Sequence, residues 1–402
     1  MWIAARDPTP PPRTLPRLPV SDATFPATAQ AYAGAGVVDG NRIDLLLNGD
    51  QIFPAKLAAV RAARTSITWA EYFYAEGDIA SELASAVAER CRAGVAVRVL
   101  LDGVGTLSMQ TEDRQTLERA GCRVATFRPI GPLAVRRTNY RNHRRVLVID
   151  GRVGITGGSG VSHKWTGDGR TRDHWRDSDV RLEGPVVEQL QAAFAENWLE
   201  ATREVLAGPA YFPAAVTAAG GVRAHAVRSS SLDGGQPMEN LFLLTISGAE
   251  RAIHVTNPYF VPDESLTAAF LDAVGRGVKV VVLVPGVIDH AVVREAGRAN
   301  FGRLLQAGIE IYEYQPALLH AKTMVVDGVW ATVGSTNLDH RSFVLNDELN
   351  VAVYDPGFAR RVDGAFADDL THSKRVTYER WRARGLGARL FELVVIPIRD
   401  LL

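Results

Sequence analysis

The chain has 402 residues, carries no formal net charge, and is 47% hydrophobic and 22% charged. This composition is typical of a soluble globular protein, and the length favours two or three domains. The balanced charge excludes the overall basic surface that nucleic-acid-binding proteins carry, so we expect no nucleic acid partner.

Residues 1–40 are predicted to be a loose, Pro-rich lead-in. They lack the apolar stretch of a signal peptide, and no apolar run in the chain reaches the ~18 residues of a membrane span. We therefore expect a cytoplasmic protein whose contact with a membrane is peripheral, on the inner face. The two cysteines, Cys91 and Cys122, are too few for a disulfide framework or a CxxC metal pattern.

Strand-like and helix-like segments alternate after the lead-in. Residues 67–74 are rich in aromatic and β-branched side chains and predict a strand. Residues 79–92 have helical apolar spacing that stops at Gly94, and residues 95–101 predict a second strand. The first part of the chain therefore has the strand–helix–strand order of an α/β domain.

The rest of the chain also contains predicted strands and helices, together with a linker and an apolar tail. Residues 146–149 and 324–326 are short apolar runs typical of buried strands. Residues 186–200 predict an amphipathic helix, and the segment 208–235, which contains several Gly and Pro residues, predicts a linker. We expect the apolar tail 390–402 to dock on the body of the protein rather than to anchor it in a lipid surface.

One pattern occurs twice: a His, a cation two residues later, an acid seven residues later and a Gly fourteen residues later. Composition predicts roughly 0.1 chance copies of the His–cation–acid part, so two copies with the same Gly are hard to attribute to chance. The copies are His143, Arg145, Asp150 and Gly157, and His320, Lys322, Asp327 and Gly334.

The flanks of this motif repeat as well. Residues 66–73 match 252–260, and residues 94–101 match 277–284, with spacings that differ only by loop-sized amounts. We infer the duplication of a whole domain, with a first copy at residues 41–207, the linker at 208–235, and a second copy with its C-terminal tail at 236–402.

The two-residue spacing of the His and the cation has a physical reason. Side chains alternate along a strand with a period of two, so these two groups point to the same face. Two histidines delivered with cations suit phosphodiester chemistry, in which one attacks phosphorus and the other protonates the leaving oxygen. Five arginines around the first His form either a solvated basic loop or an anion-attracting rim: Arg136, Arg137, Arg141, Arg144 and Arg145.

Longer stretches of the chain resemble the phospholipase D superfamily, and bacterial cardiolipin synthases within it. They are residues 142–150, 175–177, 257–262, 319–322, 334–343 and 346–350. The resemblance implies an α/β fold of two phospholipase D-like domains, each a mixed β-sheet flanked by helices, with the active site at the pseudo-two-fold interface. The chain departs from the family at Arg145, where a Lys is usual, and at Gly160, where the counterpart of Asn337 is often Asn.

The resemblance also implies roles for the residues of the motif. His143 is the expected nucleophile and His320 the expected acid/base. Lys322 and Arg145 would bind the non-bridging phosphate oxygens and stabilise charge in the transition state. The neutral donors of this phosphate-binding set are Ser335 and Asn337.

Each imidazole needs a partner on its other nitrogen. Asp177, 34 residues after His143, and Glu348, 28 residues after His320, match the family's acids for this task. Asp179 is a rival of Asp177. Asp150 and Asp327 belong to the catalytic signature, but an offset of seven places them on the opposite face of a regular strand. We interpret this last pair as structural supports of the motif.

The predicted function is transfer of a phosphatidyl group between molecules of phosphatidylglycerol or a related phospholipid, through a phosphohistidine. The alternatives are a hydrolytic phospholipase D that releases phosphatidic acid, a nuclease of the same superfamily, and a non-catalytic binding module. No metal-ligand cluster is visible in the sequence. We therefore expect no metal and no cofactor, and a monomer that binds its phospholipid substrate at a membrane surface.

Overall fold

The computed structural model describes residues 14–131, 139–231, 235–287 and 291–384. Its helices are α1 Phe25–Ala33, α2 Asn48–Ala62, α3 Asp78–Arg92, α4 Thr111–Arg119, α5 Val186–Thr202, α6 Pro237–Ser247, α7 Glu264–Gly275, α8 Ala291–Ala307, α9 Pro356–Thr371 and α10 Tyr378–Arg382. The strands of the first half are β1 Val38–Leu47, β2 Ser66–Glu71, β3 Ala96–Asp102, β4 Arg123–Phe127, β5 Val146–Ile149, β6 Val153–Gly157 and β7 Ser178–Glu183. The remaining strands are β8 Val222–Ser229, β9 Ala252–Thr256, β10 Lys279–Pro285, β11 Glu310–Tyr314, β12 Thr323–Val326, β13 Trp330–Gly334, β14 Glu348–Tyr354 and β15 Ser373–Val376.

The strands of the described residues form one sheet, in the order β15-β11-β10-β9-β12-β13-β14-β8-β1-β7-β6-β5-β2-β3-β4. The order on one side of the β8–β1 pair repeats on the other, apart from the extra edge strand β15. β8 and β1 run antiparallel and pair Val38 with Ala224 and Asn41 with Val222. The predicted duplicated α/β fold is therefore confirmed, with the two mixed sheets joined edge to edge.

Helices cover both faces of this sheet. On one face α5 of the first half and α9 of the second half share a core with strands of both halves. On the other face α2 and α3 pack on the first half, and α6 and α7 pack on the second. Neighbouring residues of β2 show the alternation, because Trp69 lies in the core beneath α2 and α3 while Ala70 lies in the shared core.

The predicted helices and strands of the first half are present, as α3, α5, β2 and β3. Two predictions were wrong in part. The lead-in contains α1, whose Phe25 and Ala29 are buried in the core of the second half. The predicted linker contains β8, which pairs with both β1 and β14 at the centre of the sheet. The predicted linker therefore contributes a central strand to the sheet.

The two cysteines form a disulfide between Cys91 in α3 and Cys122 just before β4, with Cα atoms 5.5 Å apart. Two cysteines are too few for a disulfide framework but suffice for this single bridge, which was not predicted from the sequence. Among the described residues no helix is long and apolar enough to cross a bilayer. The apolar tail at 390–402 and the arginines Arg136 and Arg137 lie outside the described residues.

Candidate active site

The two motif histidines lie in extended segments that precede β5 and β12, rather than within these strands as predicted. Each segment is held by the backbone of the other half. The His143 N–H donates to the Asp347 carbonyl at 2.9 Å, and the His320 N–H donates to the Arg176 carbonyl at 2.7 Å. The site is thus built at the junction of the duplicated halves.

At this junction each motif imidazole pairs with a carboxylate of the other half. His143 Nδ1 lies 2.8 and 2.9 Å from the two carboxylate oxygens of Glu348, and His320 Nδ1 lies 2.7 Å from Asp177 Oδ2. The structure therefore brings all four residues into the site, but each acid serves the histidine of the other half. Because the acids hold Nδ1 of both rings, Nε2 is the nitrogen that can meet a substrate, although on His320 it also contacts Lys322 Nζ at 3.0 Å.

The two motif cations are buried beside these rings. Arg145 Nη1 donates to the His143 carbonyl at 2.6 Å, and its guanidinium lies 5.4 Å from the centre of the Tyr72 ring. Its Nε has no hydrogen-bond partner among the described residues. Lys322 Nζ lies 2.8 and 3.0 Å from the two ring nitrogens of His320. Two buried cations thus make the surroundings of the two rings attractive to an anion.

Burial and these cations set the charge states of the site. Burial, then Arg145 and Lys322, hold the pKa of His143 well below its usual value. Burial and Lys322 lower the pKa of His320 to about 4, although Asp177 acts in the opposite direction. Burial raises the pKa of Glu348 to about 8. Both imidazoles are therefore neutral at neutral pH until an anion offsets the cations.

The signature acids Asp150 and Asp327 point away from this chemistry, into backbone. Asp150 accepts hydrogen bonds from the N–H groups of Arg64, Thr65 and Ser66, at 2.7 to 3.1 Å. Asp327 accepts from the N–H groups of residues 250 to 252, at 2.7 to 2.9 Å. Each acid thus ties the end of its motif strand to the start of a central strand, which supports a structural role for the pair.

Neutral donors differ between the halves. The Ser335 hydroxyl donates to Glu348 Oε2. Asn337 is buried, and its side-chain oxygen has no partner among the described residues. The corresponding positions of the first half are Gly158 and Gly160, so the second half alone carries the full predicted donor set.

Aromatic rings wall the two histidines. Tyr72 meets the His143 ring edge-on at 4.7 Å between centroids. Trp165 and Trp175 lie 5.3 and 5.6 Å from the His320 ring. Sequence reasoning missed Trp165, whose only signal was its position five residues after the missing Asn.

A buried ionic cluster behind the first motif was also missed. Lys56 Nζ lies 3.3 Å from Asp179 Oδ2 and 3.8 Å from Glu71 Oε1, and it donates to Ser159 Oγ at 2.9 Å. Asp179 is therefore committed to this cluster, whereas its rival Asp177 contacts His320. Because Lys56 is far from the motif in sequence, only the fold reveals the connection.

The sequence left open a solvated basic loop or an anion-attracting rim around His143, and neither describes Arg141 and Arg144. Arg144 is fully buried and donates to the carbonyls of Ala193 and Ser229, at 2.9 and 2.7 Å. Arg141 is buried as well and donates to the Arg128 carbonyl. These side chains hold the backbone around His143 instead of facing solvent.

Across the described ranges no group of His, Cys, Asp and Glu has the arrangement of a metal site. That the site works without a metal stays a prediction.

Two mixed sheets that each deliver a histidine and a cation to one shared cleft define a class, the duplicated enzymes of phospholipase D-like fold. The crystal structure of phosphatidylserine synthase from Haemophilus influenzae Rd KW20 has this fold, with a TM-score of 0.74, 13% identity, and coverage of 94% of this chain and 99% of that one. The family model "Cardiolipin synthase, PLD-like domain" matches residues 57–198 and 242–370. The chain belongs to this cardiolipin synthase family.

Curated relatives agree with the family assignment. The chain is 33% identical to cardiolipin synthase 1 of Bacillus anthracis over 399 residues, which cover 96% of this chain and 78% of that protein. It is 34% identical to the major cardiolipin synthase ClsA of Bacillus subtilis (strain 168), over 89% of this chain and 74% of that protein. The resemblance inferred from the motifs is therefore confirmed.

Proposed function

We propose that the protein is a cardiolipin synthase-type phosphatidyltransferase. It transfers a phosphatidyl group from one phosphatidylglycerol molecule, or a related phospholipid, to a second one and releases glycerol. The observation that carries the proposal is the pair of buried histidines, each oriented through Nδ1 by an acid of the other half. Such a pair can divide one displacement at phosphorus between a nucleophile and an acid/base.

In the first step His143 Nε2 attacks phosphorus, and the bond from phosphorus to the glycerol oxygen breaks. His320 gives its Nε2 proton to that oxygen, while ionised Glu348 accepts the Nδ1–H of His143. The anionic phosphate offsets Arg145 and Lys322, which raises the proton affinity of His320 enough for it to act as an acid. The same two cations stabilise the charge that develops on the non-bridging oxygens.

In the second step a hydroxyl of the acceptor lipid gives its proton to His320. Its oxygen attacks phosphorus, the phosphorus–nitrogen bond breaks, and His143 is released as a neutral ring. Water in place of the acceptor would give phosphatidic acid, which is the hydrolytic alternative. The transferase is favoured over it because the sequence relatives are cardiolipin synthases.

The proposal includes peripheral contact with a phospholipid surface and a monomer. Both acids and both histidines come from one chain, so a single copy completes the site. A disulfide is the exception in the reducing cytoplasm. Because Cys91 and Cys122 form one, the cytoplasmic location predicted from the sequence stays outside the proposal.

The test is incubation of the purified protein with phosphatidylglycerol vesicles and a chelator, followed by mass spectrometry of the lipids. We expect cardiolipin and glycerol, with no product from the His143→Ala and His320→Ala variants and normal product from His372→Ala, which removes a surface histidine. Phosphatidic acid as the main product would support the hydrolase instead. Absence of lipid turnover, or cleavage of nucleic acid only, would refute both, and loss of activity with chelator would refute the metal-free mechanism.

A further inference from the structure

The first half of the site carries an indole where the second half carries an amide. Gly157 of β6 pairs with Asp179, and Gly334 of β13 pairs with Asn350, so Gly160 corresponds to Asn337. A Cβ atom at Gly160 would lie 3.0 Å from Cη2 and Cζ3 of Trp165. An Asn side chain at this position would press on the Trp165 ring and would require that ring to shift.

The same indole also replaces a hydroxyl donor. In the second half the Ser335 hydroxyl donates to Glu348. At the matching Gly158 a Cβ atom would lie 2.2 Å from Asp177 Oδ1, so no serine can stand there without displacing the carboxylate. Trp165 Nε1 donates to Asp177 Oδ2 at 2.8 Å, from another direction.

A single oxygen thus joins Trp165 to the reacting histidine. Asp177 Oδ2 accepts the indole N–H at 2.8 Å and faces His320 Nδ1 at 2.7 Å. Trp165 is 2% exposed, and its ring meets the His320 ring edge-on. Because a second donor withdraws electron density from a carboxylate oxygen, it weakens the acceptor that the imidazole sees.

We propose that Trp165 is a positioning residue for His320. Its indole N–H fixes Asp177 and thereby lowers the proton affinity of His320. The Ser335 hydroxyl has the same relation to Glu348, the partner of His143. The proposal deepens the proposed function, since it rests on His320 as the acid/base for its catalytic meaning. It does not need lipid turnover for its test, because the titration of His320 is measurable in the protein alone.

Other groups also face His320 and act on its charge. Lys322 Nζ lies within 3.0 Å of both ring nitrogens, Asp177 lies on Nδ1, and Arg145 and His143 act through space. A change at position 165 removes none of these groups, and of them only Asp177 is bonded to Trp165. Trp175 offers a matched control, since its ring lies 5.6 Å from that of His320 while the indole donor to Asp177 is Trp165.

The experiment is an NMR titration of the His320 imidazole in the full chain, with the signal assigned by its loss in His320→Gln. Trp165→Phe keeps an aromatic ring and removes the N–H, and we expect it to raise the pKa of His320 by about half a unit or more. Trp175→Phe should leave that pKa within about 0.2 units of the wild-type value. An unchanged pKa in Trp165→Phe, or an equal change in both variants, would overturn the proposal.

A second measurement covers the case in which Trp165→Phe does not fold. In the wild-type protein the Trp165 indole N–H resonance should shift with the same midpoint as the His320 imidazole, because both are bonded to one oxygen. An indole resonance that ignores the titration of His320 would also overturn the proposal. A protein that passes these tests but makes no cardiolipin would refute the proposed function and leave the role of Trp165 at Asp177 intact.

Discussion

Replacement of Glu348 by Gln is the sharpest test of the crossed pairs. His143 can attack only when Glu348 is ionised and accepts the Nδ1 proton, because a protonated Glu348 would donate to Nδ1 and leave the ring proton on Nε2. Burial raises the pKa of Glu348 to about 8, even though Ser335 and Arg145 favour the ionised form. The reactive form of the pair therefore accumulates only as pH rises toward that value.

The magnitude follows from that pKa. At pH 7 roughly a tenth of the molecules hold ionised Glu348, and the fraction falls about tenfold for each further pH unit. Bound phosphate raises the proton affinity of His320, so the acid limb of kcat, which reports the enzyme–substrate complex, reflects Glu348. Its midpoint should lie near the pKa of Glu348, well above that of an ordinary carboxyl group. Glu348→Gln keeps the shape and removes the charge, so it forfeits a charge-assisted hydrogen bond, about 1.5–3 kcal/mol or ten- to a hundredfold in plateau rate.

The assay is initial cardiolipin formation at saturating phosphatidylglycerol in mixed detergent micelles, followed from about pH 5 to about pH 9 so that it reports kcat. We expect the wild-type rate to rise through this range, and the Glu348→Gln rate to be lower and to lack that limb. Asp177→Asn is the matched control, since it acts on His320 and should leave the limb in place. A wild-type rate that is flat below neutral pH, or a Glu348→Gln variant with the wild-type limb, would refute the reasoning.

Two further predictions concern stability. Burial lowers the pKa of His225 to about 4, so this ring is neutral in the folded protein and protonates first in the unfolded chain. The stability it contributes is present above about pH 6.5 and is lost as pH falls toward 4, about 3 kcal/mol in all. In urea unfolding, the His225→Gln variant should lose less unfolding free energy than the wild type as pH falls. An equal loss in the two proteins would contradict this prediction. Lys56→Met leaves Glu71 and Asp179 buried without their cation and should cost about 3–5 kcal/mol of unfolding free energy. Adding Glu71→Gln and Asp179→Asn should restore most of it, and calorimetry that shows no recovery would rule out a charge effect.

The sequence predicted the fold class well because the duplication repeats the same local patterns. Helical spacing before Gly94 and short apolar runs are local signals, and they placed α3 and β5 correctly. β8 was missed because a strand between two halves lies in a segment with the Gly and Pro content of a linker. Its role depends on pairing with β1 and β14, which are distant in sequence and leave no local pattern.

The sequence predicted the two histidines and two acids that the structure brings together, but it did not predict which acid pairs with which histidine. The motif spacing brought out His143 and His320, and the resemblance to the family added Asp177 and Glu348. The crossing of the pairs depends on backbone bridges between Asn142 and Asp347, and between Arg176 and Leu319. Such bridges join segments more than a hundred residues apart, so distance along the chain pointed to the wrong histidine for each acid.

Each half combines an acid, a Gly or Ser at the matching position and a second hydrogen-bond donor, which in the second half is that Ser, and these members fit together only within their own half. Asp177 has a short carboxylate that leaves no room for a Cβ at Gly158, and its second donor comes from Trp165. Glu348 is one carbon longer, which leaves space for the Ser335 hydroxyl on the same face. Exchange of a single member would therefore create a clash or a buried group without a partner, whereas exchange of a whole set would not. This coupling explains how the first half can lack the Asn and keep an ordered imidazole–carboxylate pair. Its acid, glycine and indole together hold the carboxylate against the imidazole, as Glu348 and Ser335 do in the second half.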